Sequence, residues 1–335
     1  MKKHGGDGSF SRNVLQIAAE RECTRIQDAI RSTVRSFKRR GAVVAVSGGV
    51  DSAVVAALCA GALGPDRVLA LLLPEKDSAK DTLTVSRLLV AHLGLRHQTE
   101  DITAVLEGLN CYGRRDAAVR EVLPQFRSDY RFKIVLPSVV ESDRLRVFSL
   151  VAVSPEGTEH RVRLSQSAYL GIVAASNFKQ RVRKMFEYYY ADKLNYAVAG
   201  TPNRLEYDQG FFVKNGDGAA DLKPIAHLYK TQVYQLAEYL RIPEEITQRP
   251  PSTDTYSLPQ SQQEFYFSLP YQQMDLCLYA YEHGVAPDVA APVVGLSVDE
   301  LRRVFRDIEQ KRRTTAYLHS NPVLVDALNG RGELS

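Results

Sequence analysis

The sequence predicts an α/β protein, a doubly wound parallel sheet carrying a small antiparallel β insert. Three observations predict it. Residues 43–46 form an apolar strand that runs into Ser47-Gly48-Gly49-Val50-Asp51-Ser52 and on into an apolar helix, 53–63. Residues 67–73 are apolar on both faces, as buried parallel strands are. Between 128 and 170 the pattern turns to the alternation of half-buried antiparallel strands.

The elements follow in chain order. Residues 1–9 are polar and Gly-rich and are expected to lack order. Residues 13–38 carry a helical stripe that includes Val14, Ile17, Ile26, Ile30, Val34 and Phe37. Pro74 closes the strand at 67–73, a helix is expected over 78–93 with Gly94 as its stop, and 97–102 reads as a third strand. Such alternation implies a parallel sheet with helices on both faces. A nucleotide belongs at the carboxyl end of its first strand. Strands are expected at 131–136, 145–153 and 160–164, with Ser154-Pro155-Glu156-Gly157 as a turn. Helices are expected at 174–194, 228–240, 271–283 and 298–310, and a strand at 195–200. This divides the chain into a main body, 10–127 and 171–335, and a β-rich insert, 128–170, read as surface decoration or else as a substrate lid or partner surface.

Composition narrows the function. The 335 residues are 44% hydrophobic, enough for a sizeable core, and the net charge is +4. That charge is too mild to point to nucleic acid. Cys23, Cys59, Cys111 and Cys277 lie far apart without a C-x-x-C, so they read as buried thiols in a reducing compartment. The first residues show no signal peptide and no stretch approaches a membrane span, so a cytoplasmic location is expected, with no membrane partner.

The 47–52 junction is built for a pyrophosphate. Two glycines let the backbone turn tightly and approach a ligand. The following helix offers free N–H groups and partial positive charge. Ser47 and Ser52 add hydroxyls, and Asp51 is suited to a magnesium ion. No lysine follows the glycines, so this is not a Walker A loop. Ser-Gly-Gly-x-Asp-Ser instead resembles the loop of the N-type ATP pyrophosphatases, which cleave ATP between its α and β phosphates.

Five further motifs follow in order. They are Asn177-Phe-Lys-Gln-Arg181-Val-Arg183, Gly200-Thr201-Pro-Asn-Arg-Leu-Glu206, the run from Gly210 to Pro224, Leu228-Tyr-Lys230-Thr-Gln232 and Pro250-Pro-Ser252-Thr-Asp254. Together they resemble the ammonia-dependent NAD synthetase family over roughly 15–127 and 171–315. The resemblance implies an adenine nucleotide α-hydrolase-like fold and a homodimer. It implies that Ser47, Gly48, Gly49 and Ser52 hold the pyrophosphate of ATP, and that Asp51 and Glu206 hold Mg2+. Thr201, Lys230 and Ser252 are implied to contact ATP phosphates, and Arg181, Lys214, Asp221 and Lys311 to contact deamido-NAD. Asp51, Lys230 and Ser252 are then the catalytic candidates. Two hard carboxylates and lysine point charges also suit this chemistry on their own terms.

The family's His-Lys-Arg reads Gln310-Lys311-Arg312 here, and its Pro-Asp-Glu reads Gln262-Gln263-Glu264. No serine–histidine or cysteine–histidine arrangement supplies a glutaminase, so the expected donor is free ammonia or ammonia from a separate glutaminase. The expected activity is amidation of deamido-NAD to NAD through an acyl-adenylate. A second reading keeps that chemistry for a different small carboxylate. A third makes the chain a non-catalytic nucleotide-binding subunit, against which the paired acids and Lys230 stand.

Overall fold

The computed structural model describes residues 10–79, 81–139, 147–250 and 255–325. Its strands are β1 (Ala42–Ala45), β2 (Val68–Leu72), β3 (Arg96–Thr99), β4 (Arg131–Val135), β5 (Ser149–Val153), β6 (Glu159–Arg163) and β7 (Ala197–Ala199). Four of them make a parallel sheet in the order β3-β2-β1-β7. The central strands are buried on both sides. Ala42 and Val44 of β1 face a core with helices Ala19–Ser36, Val50–Leu63 and Lys230–Tyr239, whereas Val43 faces helices Cys111–Arg120 and Gln166–Leu194. Helices on both faces explain why these strands read as unbroken apolar runs. The order reverses between β1 and β7, which pair from Ala42↔Ala197 to Val44↔Ala199. In open α/β sheets that reversal opens a crevice at the strands' carboxyl ends.

Among the boundaries that differ from expectation, two do so for visible local reasons. The first helical stripe divides into a short turn, Arg12–Leu15, and the helix Ala19–Ser36. Between them Gln235 accepts the Ile17 N–H and donates to the Leu15 carbonyl, both at 3.0 Å, in place of helical bonds. The helix expected from 174 begins at Gln166, where Ser165 caps it by accepting the Ala168 N–H at 3.1 Å. Residues 166–170 therefore extend this helix.

β4, β5 and β6 form an antiparallel sheet. Its inner face (Phe132, Ile134, Leu150, Ala152) shares one core with Val119, Phe126, Ala168 and Ile172. The segment after residue 254 runs along β4. The Leu258 N–H donates to Phe132 O at 3.1 Å, the Phe132 N–H donates to Ser257 Oγ at 3.0 Å, and Lys133 pairs with Glu264 at 2.6 Å. The insert thus braces residues 257–264. A further core gathers helices Tyr271–Glu282, Pro287–Val294 and Val298–Thr315. All four cysteines are free and buried. No helix among the described residues is long and apolar enough to cross a membrane.

Candidate active site

At the carboxyl end of β1 the chain turns through Ser47–Gly49 into helix Val50–Leu63. Gly48 lies at φ +75°, a conformation that favours glycine. Gly49 is the N-cap and offers no side-chain cap, so the first-turn N–H groups stay open to a ligand. Ser52 Oγ donates to Gly49 O at 2.9 Å and accepts the Ser47 N–H at 3.3 Å, which holds the loop in its curve. The loop lines a cavity of about 440 Å³.

β7 delivers a second segment to the same place. Asn203 and Glu206 form a reciprocal capping box on the short helix Arg204–Asp208. The Glu206 N–H donates to Asn203 Oδ1 at 3.1 Å, and the Asn203 N–H donates to Glu206 Oε2 at 3.2 Å. The remaining donor, Asn203 Nδ2, reaches Asp51 Oδ1 at 3.1 Å. Gln262 Nε2 donates to Glu206 Oε1 at 2.8 Å. Burial, then the Asp51 charge, push the Glu206 carboxyl up to about 7, against the pull of Lys230 and these hydrogen bonds.

The third segment is helix Lys230–Tyr239. Lys230 is buried, and its ammonium donates to Asp51 Oδ2. Burial lowers its proton affinity, but Asp51 and Glu206 together raise it further, so it is held charged. Buried Asp275 accepts the Thr231 N–H and hydroxyl, both at 2.7 Å, and so fixes the helix start that carries Lys230. Burial first of all pushes the Asp275 carboxyl up to about 6.

Asp51 and Glu206 crowd two hard carboxylates at the mouth of a phosphate-type loop. A proton affinity raised by a like charge is what a divalent cation would relieve, so these residues fit Mg2+. Among the described residues no cluster of three or more His, Cys, Asp or Glu forms. Mg2+ does not require one, because it keeps waters and phosphate oxygens in its shell.

Of the residues singled out from sequence, Ser47, Gly48, Gly49, Asp51, Ser52, Thr201, Glu206 and Lys230 line this one cavity. Ser252 lies outside the described residues. Four others stand apart from the lining. Arg181 Nε donates to Lys214 O at 3.3 Å, and Lys214 Nζ donates to the carbonyls of Tyr317 and Ser320 at 2.7 and 3.1 Å. Asp221 accepts the Val198 N–H at 2.8 Å. Lys311 pairs with Asp307 and donates to Tyr266 O, both at 2.8 Å.

Sequence reasoning missed Asn203, Gln262 and Asp275. The Asn-x-x-Glu spacing of a capping box marks Asn203 in the sequence. No local signal marks Asp275. The cavity wall also contains Lys179, which bonds Glu75 and Asp77 at 2.8 Å each, while Arg115 reaches Asp77 at 2.5 Å. This buried network ties the end of β2 to helix Gln166–Leu194.

Residues 22–126 and 153–317 match the NAD synthase family. The chain is 54% identical to the NH(3)-dependent NAD(+) synthetase of Mesorhizobium japonicum over 93% of this chain and 98% of that one. It is 52% identical to that of Rhizobium meliloti (94% and 95%) and 40% identical to that of Thermotoga neapolitana (85% and 91%). Among solved structures, the NH3-dependent NAD synthetase from Campylobacter jejuni superposes with a TM-score of 0.61 at 23% identity, covering 93% of this chain and all of that one. The NMN synthetase from Francisella tularensis gives 0.63 at 21%, covering 92% and 99%. At these identities the structural likeness shows the fold alone.

Proposed function

This chain belongs to the NAD synthase family, and from that membership we propose a concrete division of labour for an ammonia-dependent NAD synthetase. The enzyme forms NAD from deamido-NAD, ATP and ammonia. A carboxylate oxygen of deamido-NAD attacks the α-phosphorus, and the bond to the bridging oxygen breaks, releasing pyrophosphate. Ammonia then adds to the acyl carbon, gives up a proton, and AMP leaves with the acyl–oxygen electron pair.

The observation that carries this reading is the meeting of Asp51, Glu206 and Lys230 beside the 47–52 loop in one cavity. The loop's N–H groups and the Ser47 and Ser52 hydroxyls take the pyrophosphate. Lys230 is a fixed positive charge for the phosphates in the transition state. Asp51 and Glu206 would hold Mg2+, which when bound supplies charge neutralisation on the phosphate oxygens. Thr201 and Ser252 belong to the ATP side of this proposal, and Arg181, Lys214, Asp221 and Lys311 to the acceptor side. A homodimer in the cytoplasm, with a separate glutaminase as one ammonia source, completes it.

The test is pyrophosphate release by the purified chain with ATP, Mg2+ and ammonium, with and without deamido-NAD. Release that depends on deamido-NAD and matches NAD formation supports the proposal. Release driven equally by other carboxylates, or none, would refute it.

A further inference from the structure

We propose that Arg249 is a further phosphate-binding residue, whose free guanidinium edge takes the β and γ phosphates of ATP beside Gly48. This rests on the adenylating reading of the site and adds a residue to it.

Three observations meet here. First, Arg249 lines the cavity. A methyl group placed on Gly48 would lie 3.1 Å from Arg249 Nη1, so the guanidinium sits directly against the tightest point of the loop. Second, Nη1 is buried and has no hydrogen-bond partner among the described residues. A buried donor left unpaired is costly, and a ligand oxygen is what would satisfy it.

Third, the lysines of the cavity wall are already committed to carboxylates. Lys179 is bound to Glu75, Asp77 and the Thr255 carbonyl. Lys184 pairs with Glu187 at 2.7 Å, whereas Arg183 has one backbone contact, Nε to Leu73 O at 3.3 Å, and no unpaired buried nitrogen of the kind Arg249 shows. Lys230 is matched by Asp51 and faces Glu206. A triphosphate brings several negative charges to a site whose Lys230 is already neutralised. Arg249 holds one ion pair, Nη2 to Asp81 Oδ1 at 3.1 Å, and Asp81 is largely exposed. That pair leaves the Nη1 edge directed at the loop. A planar guanidinium suits two phosphate oxygens better than an ammonium does.

The competing role is a strut, in which Arg249 serves only to tie Asp81 to the loop. Calorimetric titration with inorganic pyrophosphate and with AMP separates the two. The full-length chain, Arg249→Gln, Arg249→Lys and Asp81→Ala are compared. Arg249→Gln is expected to weaken pyrophosphate binding about 10- to 100-fold, the range for a hydrogen bond to a charged group. AMP affinity is expected to stay within about twofold, Arg249→Lys to fall between, and Asp81→Ala to match the parent. Equal losses for AMP and pyrophosphate, or the same loss from Asp81→Ala, would assign Arg249 to the strut and overturn the inference. Unchanged pyrophosphate binding in both Arg249 variants would also overturn it. A parent chain that binds no pyrophosphate would remove the loop reading and this inference together. Arg249→Lys keeps the charge and decides the matter if Arg249→Gln does not fold.

Discussion

Asn203 is bonded to Asp51 across 152 positions of sequence, its Nδ2 donating to Asp51 Oδ1 at 3.1 Å. The same side chain caps the helix that carries Glu206. One amide therefore sets the spacing of both acids. Asn203→Ala is expected to destabilise the chain by about 1–2 kcal/mol, through the lost cap and the buried partners left behind. Asn203→Asp keeps the cap but adds a third carboxylate. It is expected to retain more of the melting temperature and yet raise the KM for ATP·Mg as Asp51 is displaced. Thermal melts and steady-state kinetics on both variants check this, and equal kinetics would remove Asn203 from the site.

Glu206 gives the free enzyme a particular pH dependence. Folding raises its proton affinity from 4.5 to about 7, so between those values the folded chain binds the proton and the unfolded chain does not. Stability from this group is full below about pH 4.5 and is lost as pH rises through 7, by roughly 3 kcal/mol. Asp275, raised to about 6, has the same sign lower down. Denaturant midpoints at pH 6 and 8 should show the fall, and Glu206→Gln should flatten it above pH 6. Added Mg2+ should offset the loss at pH 8, and no response to Mg2+ there would count against the two-acid site.

Lys230→Met removes the ammonium that faces Asp51 and Glu206. Pyrophosphate release is expected to drop about 100- to 1,000-fold, the usual effect of losing a fixed transition-state charge. Glu206 should then hold its proton to still higher pH, since Lys230 is the group that lowers it most. Single-turnover release and a pH titration of Mg2+ binding measure the two effects separately.

Gly48→Ala places a Cβ 3.1 Å from Arg249 Nη1 and 3.2 Å from the Thr82 carbonyl, at φ +75°. A cost of about 1–2 kcal/mol in stability is expected. ATP affinity should fall by more than that cost explains, because the added methyl also occupies the ligand's approach. Gly64→Ala serves as the control, with φ +86° but open space around it.

The sheet, the phosphate loop and the ordered motifs were legible because each is a local pattern: apolar runs, paired glycines, acids at fixed spacing. The relations among them were not. Helix Arg204–Asp208 is five residues long, too short for a helical period to register. Helix Pro287–Val294 carries Pro292 inside it, which reads as a breaker. Asp275 looks like any polar residue on a helix, and its role depends on Thr231 reaching it from a distant segment. The change from Pro to Gln262 read as a departure from the family pattern, yet Gln262 bonds Glu206. The insert looked like decoration, and its alternation says nothing of the segment braced along β4.

The adjacency of β1 and β7 also shapes how the protein is made. β1 leaves the ribosome early, with β2 available for one edge, but its other edge waits for Ala197–Val198–Ala199. At ordinary translation speeds that interval is roughly ten seconds or more. Throughout it a short, wholly apolar strand is exposed to mispairing. The nucleotide crevice cannot exist until the late strand docks, so nascent chains cannot be rescued by ATP binding until most of the protein has been synthesised.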